Sequence, residues 1–314
     1  MLSYLMVFGA TMMFGLQFFF SGKYQEKAGS TLFTSMVFAL GMGLVGIAAL
    51  FIINGVGLAL TWFTFLMALA SAVNSMLFTF CSIYSLKHIN LSIYSLFSMV
   101  GGMLFPFIAG IVFYGEGFTA AKLLCIVMLF AALLLTVKKG DKSDGKIFYI
   151  GVFFFNGMGA LLSVIFKKAD AVKASDVDFS VAAAGLKVIL SALVVAVILI
   201  AGKIKEKMND TTGVVSDGNA DGNADGNAAV KKLKFTPVML LYAAICGSFS
   251  YLANYILLIA MNNIPASLNY LLVTGGVMVC SSVLGYITGK KPTLRDLASV
   301  GICIVGMLLL FLPF

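Results

Sequence analysis

The chain has 314 residues, 61 % of them hydrophobic and 11 % charged, with a net charge of +8 and a mean hydropathy of +1.05. That composition excludes a soluble globular protein and places most of the chain in lipid. The positive charge belongs to segments beside the membrane, where lipid head groups account for it better than nucleic acid does.

A spanning helix needs about 20 apolar residues to cross a core of ~30 Å. Runs of that length near 2–21, 31–54, 59–86, 91–114, 118–138, 147–166, 178–202, 236–261, 267–288 and 293–313 predict ten transmembrane helices. None alternates polar and apolar residues as a barrel strand would. The first run has no basic segment ahead of it and no small-residue cleavage site, so it reads as span 1 and not as a signal peptide.

Polar residues punctuate these runs. Span 1 carries Gln17. Span 3 offers Ser71, Asn74, Ser75 and Ser82 at helical spacing. His88, the single histidine, lies in the short turn before span 4. Span 4 holds Tyr94, Ser95 and Ser98, followed by Gly101-Gly102 and Pro106. A basic connector at 139–146 leads to span 6, which carries Asn156.

Span 7 contains Lys187, about nine residues from its start and so about 14 Å deep at ~1.5 Å per residue. A lysine there costs about 2.5–3.5 kcal/mol on insertion scales. Ser180, Ala183, Ala184 and Ser191 share its face with Leu190 and Val194. No carboxylate lies at membrane depth to pair with it. Two readings stand side by side: a cationic site for an anionic substrate group, or a lysine that snorkels or is satisfied by carbonyls and water.

After span 7 the stretch 203–235 is polar and repeats Asp-Gly-Asn-Ala at 217–228, which predicts a flexible linker. Asp217, Asn219, Asp221 and Gly222 imitate the opening of a calcium loop, but Ala228 stands where the bidentate Glu belongs. Span 8 aligns Gly247, Ser248, Tyr251, Asn254 and Tyr255 on one face, and span 9 adds Tyr270 and Thr274. Singly, each polar residue reads as an interhelical hydrogen bond worth about 0.6 kcal/mol. Together, polar faces on spans 1, 3, 4, 6, 7, 8 and 9 predict one shared cavity, with spans 5 and 10 at the periphery. The candidate substrate-binding set is Lys187, Gln17, Asn74, Asn156, Ser191, Tyr251, Asn254, Tyr255, Tyr94, Ser98, Tyr270 and Thr274.

Enzyme chemistry has little to work with. No His, Asp or Glu cluster sits at membrane depth, and Gly285 to Lys290 is one residue short of a P-loop. Cys81, Cys125, Cys246, Cys280 and Cys303 fall in five different runs and read as packing residues. No catalytic residue, metal site or cofactor is expected.

One pattern occurs twice. Gly101-Gly102, Gly115 and Thr119 are echoed 174 residues later by Gly275-Gly276, Gly289 and Thr293. The first spans of each half also match at a shift of 145, pairing Tyr4 with Tyr149, Lys23 with Lys168 and Ser30 with Ser175. The chain thus divides into 1–138 and 147–313 at five spans each. An odd number of spans per unit makes the predicted architecture an all-α membrane fold of two inverted five-helix repeats. The glycine pairs read chiefly as points of close packing.

Sixteen of the 21 Lys and Arg residues fall in loops after odd-numbered spans, four lie in or beside the loops after even-numbered spans, and the last is Lys187. The positive-inside rule puts the odd loops in the cytoplasm and both termini outside.

These residues resemble the drug/metabolite transporter superfamily in its EamA-like branch of ten-helix carriers. The resemblance rests on Gly115-Glu116-Gly117-Phe118-Thr119 and its counterpart Gly289-Lys290-Lys291-Pro292-Thr293, on Phe14-Gly15-Leu16-Gln17-Phe18 in span 1, and on Lys87-His88-Ile89 before span 4. It implies a central cavity between the halves, alternating access by rocking of helix bundles, a polar cavity role for Gln17 and both termini in the cytoplasm. Lys290 departs from the family's second Glu. Span 1 lacks the carboxylate that small multidrug members use to carry protons.

The expectation is a secondary transporter of a small polar metabolite in a bacterial cytoplasmic membrane, with an anionic substrate left open and with substrate and bilayer as partners. Homodimerisation is left open. The rivals are a non-transporting membrane scaffold and a carrier of another ten-helix inverted-repeat fold.

Overall fold

The computed structural model describes residues 2–29, 31–54, 58–88, 91–136, 146–170, 172–212, 237–287 and 293–310. Among them run ten α-helices: α1 Leu2–Ala28, α2 Leu32–Asn54, α3 Trp62–His88, α4 Leu91–Val112, α5 Ala120–Thr136, α6 Lys146–Lys168, α7 Asp176–Thr212, α8 Pro237–Ala260, α9 Ala266–Ile287 and α10 Leu294–Leu309. Seven are long and apolar enough to cross a membrane, and α4, α5 and α10 contribute shorter apolar helices within the described residues. The chain is therefore a multi-pass, all-helical integral membrane protein.

Helix ends follow local chemistry. Thr31, Thr61, Thr119 and Ser175 each accept a hydrogen bond at the side-chain oxygen from the backbone N–H three residues on, at 3.1–3.3 Å. Each satisfies an N–H that the helix leaves orphaned, worth about 1 kcal/mol. Ser175 also donates to Asp178 Oδ2 at 2.7 Å, which closes the start of α7 as a reciprocal cap.

The backbone of α7 continues to Thr212, ten residues into the stretch expected as linker. The sequence there, Lys203-Ile204-Lys205-Glu206-Lys207-Met208, is made largely of strong helix formers, so the polar run extends the helix before it ends. The Asp-Gly-Asn-Ala repeat, the second-half turn at 289–292 and the connector up to residue 145 lie outside the described residues.

Each half reaches into the other. α1 packs on α8 and α9, while α6 packs on α3 and α4. α2 lies against α7 and α8, α3 against α7, α4 against α9 and α5 against α10. The largest core cluster joins Met103, Leu129, Leu271 and Cys303 from α4, α5, α9 and α10.

Glycines set the closest approaches. A Cβ on Gly101 would collide with the Phe153 carbonyl, and one on Gly157 with the Phe105 ring and the Gly101 carbonyl. On the other side of the bundle, a Cβ on Gly276 would strike Thr11. The glycine pairs are thus packing points, and α4 is described as one helix across Gly101-Gly102 and Pro106.

The turn that carries the repeated motif has a structural part for each residue. Gly115 adopts φ 62°, a conformation that costs a side-chain-bearing residue about 1–2 kcal/mol. Thr119 caps α5. The Glu116 carboxylate accepts the N–H groups of Ala266 at 2.9 Å and Ser267 at 3.0 Å, capping α9 from the other half. The helix dipole favours a negative charge at that end. Glu116→Gln keeps one acceptor oxygen and loses the charge. It is expected to destabilise the folded protein by about 1–2 kcal/mol, read as a lowered midpoint in detergent thermal unfolding; an unchanged midpoint would remove the latch.

Candidate functional site

The helices line a partly open cavity of about 250 Å³. Its walls come from α1, α3, α4, α6, α7, α8 and α9, and among the described residues none from α2, α5 or α10 lines it. The α5 and α10 helices instead present Leu124, Val127, Phe130 and Leu308 outward.

Lys187 stands on α7, eleven residues beyond Asp176 and so about 16 Å along the helix. It is 4 % exposed and lines the cavity. Among the described residues no carboxylate and no hydrogen-bond acceptor meets its ammonium. The same helix has carboxylates nearer its start. There Asp176 is engaged by Lys167 in an ion pair, and Asp178 accepts from Ser175 and from the Ala59 N–H. Among the described residues no Asp or Glu lines the cavity.

Gln17 reaches the cavity from α1, and Tyr251 reaches it from α8 beside Gly46, whose missing side chain makes room for the phenol ring. Neither the Gln17 amide nor the Tyr251 hydroxyl has a hydrogen-bond partner among the described residues. Thr274 on α9 lines the same space.

Three further polar residues line the cavity and also tie its walls together. Asn74 donates from Nδ2 to the Phe155 carbonyl at 2.9 Å, joining α3 to α6. Asn156 donates to the Ser98 carbonyl at 2.6 Å, joining α6 to α4. Tyr270 donates to the Ala160 carbonyl at 3.3 Å, joining α9 to α6. Asn254 donates one Nδ2 hydrogen to the Ser250 carbonyl of its own helix at 2.7 Å, which leaves its amide oxygen and second N–H to the cavity.

Four expected site residues lie elsewhere. Tyr94 is buried against Cys81 and Val152 and donates to Ser82 Oγ at 3.1 Å. Ser98 is fully buried and serves Asn156 through its carbonyl. Both occupy the α4 face that turns into α6; the cavity receives Met99 and Gly102 instead. Tyr255 packs on the Leu50, Val177 and Val181 cluster. Ser191 is buried one turn beyond Lys187, and its hydroxyl has no partner among the described residues. Shared helical spacing put these four in the set, but a polar face wider than the cavity mouth is divided between cavity and neighbouring helix.

Sequence reasoning passed over Ser163 and Ser250 and the aromatic lining of Phe14, Phe18, Phe78 and Phe155. Ser163 was legible: Asn156, Gly159, Ala160 and Ser163 form a helical row. The phenylalanines were not, because in this composition an apolar ring toward lipid and one toward a cavity read alike.

A smaller cavity of about 190 Å³ lies where α6 ends, bounded by Lys167, Lys168, Asp170 and Asn262. Lys173 sits 2.5 Å from Asp170 and holds its carboxyl below the usual carboxylate range. Lys168 lies over the Tyr114 ring at 5.6 Å. Among the described residues no three His, Cys, Asp or Glu side chains converge, so no metal cage is built there.

No family model and no curated protein matches the chain. Among solved structures, 28 chains are similar to it. One, described only as "Crystal structure of protein", superposes with a TM-score of 0.61 and 17 % identity over 98 % of this chain and 96 % of that one. At that identity the likeness is one of fold, and it extends over nearly the full length of both chains.

Proposed function

We propose that this chain is a secondary transporter that moves a small anionic metabolite by alternating access, without ATP. The observation that carries the reading is Lys187: a buried cation lining a partly open cavity, with no counter-charge among the described residues. Holding an unpaired charge there costs several kcal/mol, and an anionic ligand offsets that cost.

The helix packing supports two repeats of five. Exchanging α1 with α6, α2 with α7, α3 with α8, α4 with α9 and α5 with α10 carries the principal contacts into one another. Thus α1 on α8 becomes α6 on α3, and α1 on α9 becomes α6 on α4. The close approaches follow the same exchange. Gly102 lies against Asn156, and Gly276 against Thr11, the positions that correspond at shifts of 174 and 145. These pairings favour two inverted repeats, and the continuous helices α4 and α9 favour the EamA-like reading over a ten-helix fold with helices broken there. The test is whether cavity positions are reached in turn from both membrane faces, as set out at the end of the Discussion.

A further inference from the structure

We infer that the cavity selects a monoanion with an apolar body, a hydrophobic monocarboxylate of about ten heavy atoms, in preference to zwitterions and dianions. This rests on the anion-carrier reading above and deepens it from an anionic metabolite to one charge class and one shape.

The first ground is charge balance. Among the described residues one ammonium lines the cavity and no carboxylate does. A bound monoanion brings the site to neutrality. A zwitterion such as an amino acid leaves one positive charge unbalanced, and a phosphate dianion leaves one negative. Each residual charge left beside the buried Lys187 is unbalanced and carries a desolvation penalty.

The second ground is what surrounds that charge. Gln17 and Tyr251 line the same cavity and supply donors with no partner among the described residues. Much of the remaining wall is aromatic or aliphatic, with Phe14, Phe18, Phe78, Phe155 and Val277 among its members. An apolar body rests on those ring faces and releases their water, while Ser71, Asn74, Ser75, Ser163 and Ser250 interrupt them with hydroxyls and an amide.

The third ground is volume. About 250 Å³ corresponds to about eight waters at ~30 Å³ each, room for a small ligand of about that many heavy atoms or slightly more.

The experiment uses four probes with one phenyl body and different heads: 3-phenylpropionate, phenylalanine, phenyl phosphate and 3-phenylpropionamide. Binding of each to the purified full chain in lipid nanodiscs is measured by calorimetry at neutral pH, with acetate as a head without a body. The expected order puts 3-phenylpropionate at least tenfold tighter than the other four. In Lys187→Met the acid should lose its advantage over the amide. Should that variant fail to fold, the order in the native protein decides alone. Phenylalanine or phenyl phosphate binding as tightly as the acid overturns the charge class, and acetate doing so overturns the apolar body. Failure of all five to bind also overturns the inference. The carrier reading is judged separately, by thiol access that needs no ligand.

Discussion

Lys187→Met is expected to weaken binding of 3-phenylpropionate about 100-fold and, in the absence of ligand, to make the protein more stable. The two effects have one cause. The ammonium is buried without a partner among the described residues, so it weakens the empty protein and strengthens the liganded one. Removing the charge recovers about 2–3 kcal/mol of desolvation at membrane depth. It also deprives the ligand's carboxylate of its partner, at a cost of about 3 kcal/mol. Methionine preserves the volume and apolar stem of the lysine, so cavity creation does not confuse the reading. Calorimetric affinity and the unfolding midpoint in nanodiscs report the two halves of the result. A lysine kept for structure predicts the opposite pair: a less stable variant with undiminished binding.

The second large effect is expected at Gly101→Leu. The obstacle there is the Phe153 carbonyl of α6, which belongs to a helix backbone and cannot swing aside as a side-chain end can. Forcing a side chain into that contact parts α4 from α6. It breaks the Asn156 to Ser98 bond and opens the cavity wall that both helices build. Overpacking costs about 1–3 kcal/mol where neighbours repack, and here the neighbour is fixed, so little folded protein is expected after extraction. Gly185→Ala is the control, since nothing lies within 4 Å of the position its Cβ would take. A monodisperse chromatographic peak for the control and an aggregated one for Gly101→Leu is the predicted outcome. Equal peaks would show that the two helices do not need their close approach.

Much of the helical organisation was legible in the sequence because lipid leaves few alternatives for an apolar run of about 20 residues. The seven helices around the cavity were also legible, since polar residues at membrane depth are costly and have to be placed. Side-chain allocation was not. Tyr94 and Ser98 share a helical face with the glycine pair, and only packing reveals that this face is taken up by α6. Tyr251 and Tyr255 are one turn apart on α8, yet Gly46 makes room for the first alone, a pairing across 205 positions that local periodicity does not encode. Glu116 gives the same lesson. Its motif marked a turn, but its partners are backbone N–H groups of α9, which no residue type announces.

Alternating access is tested most directly by thiol labelling of Asn254→Cys in a protein whose five native cysteines are replaced by alanine. The variant is reconstituted in sealed vesicles and exposed to a membrane-impermeant maleimide from one side and then, in a parallel sample, from the other. The account predicts labelling from both sides, with far slower labelling of Ile189→Cys on the outward, 56 % exposed surface of α7, where lipid suppresses the thiolate. Labelling of Asn254→Cys from one side only, or from neither, would contradict a carrier and leave a fixed helical bundle.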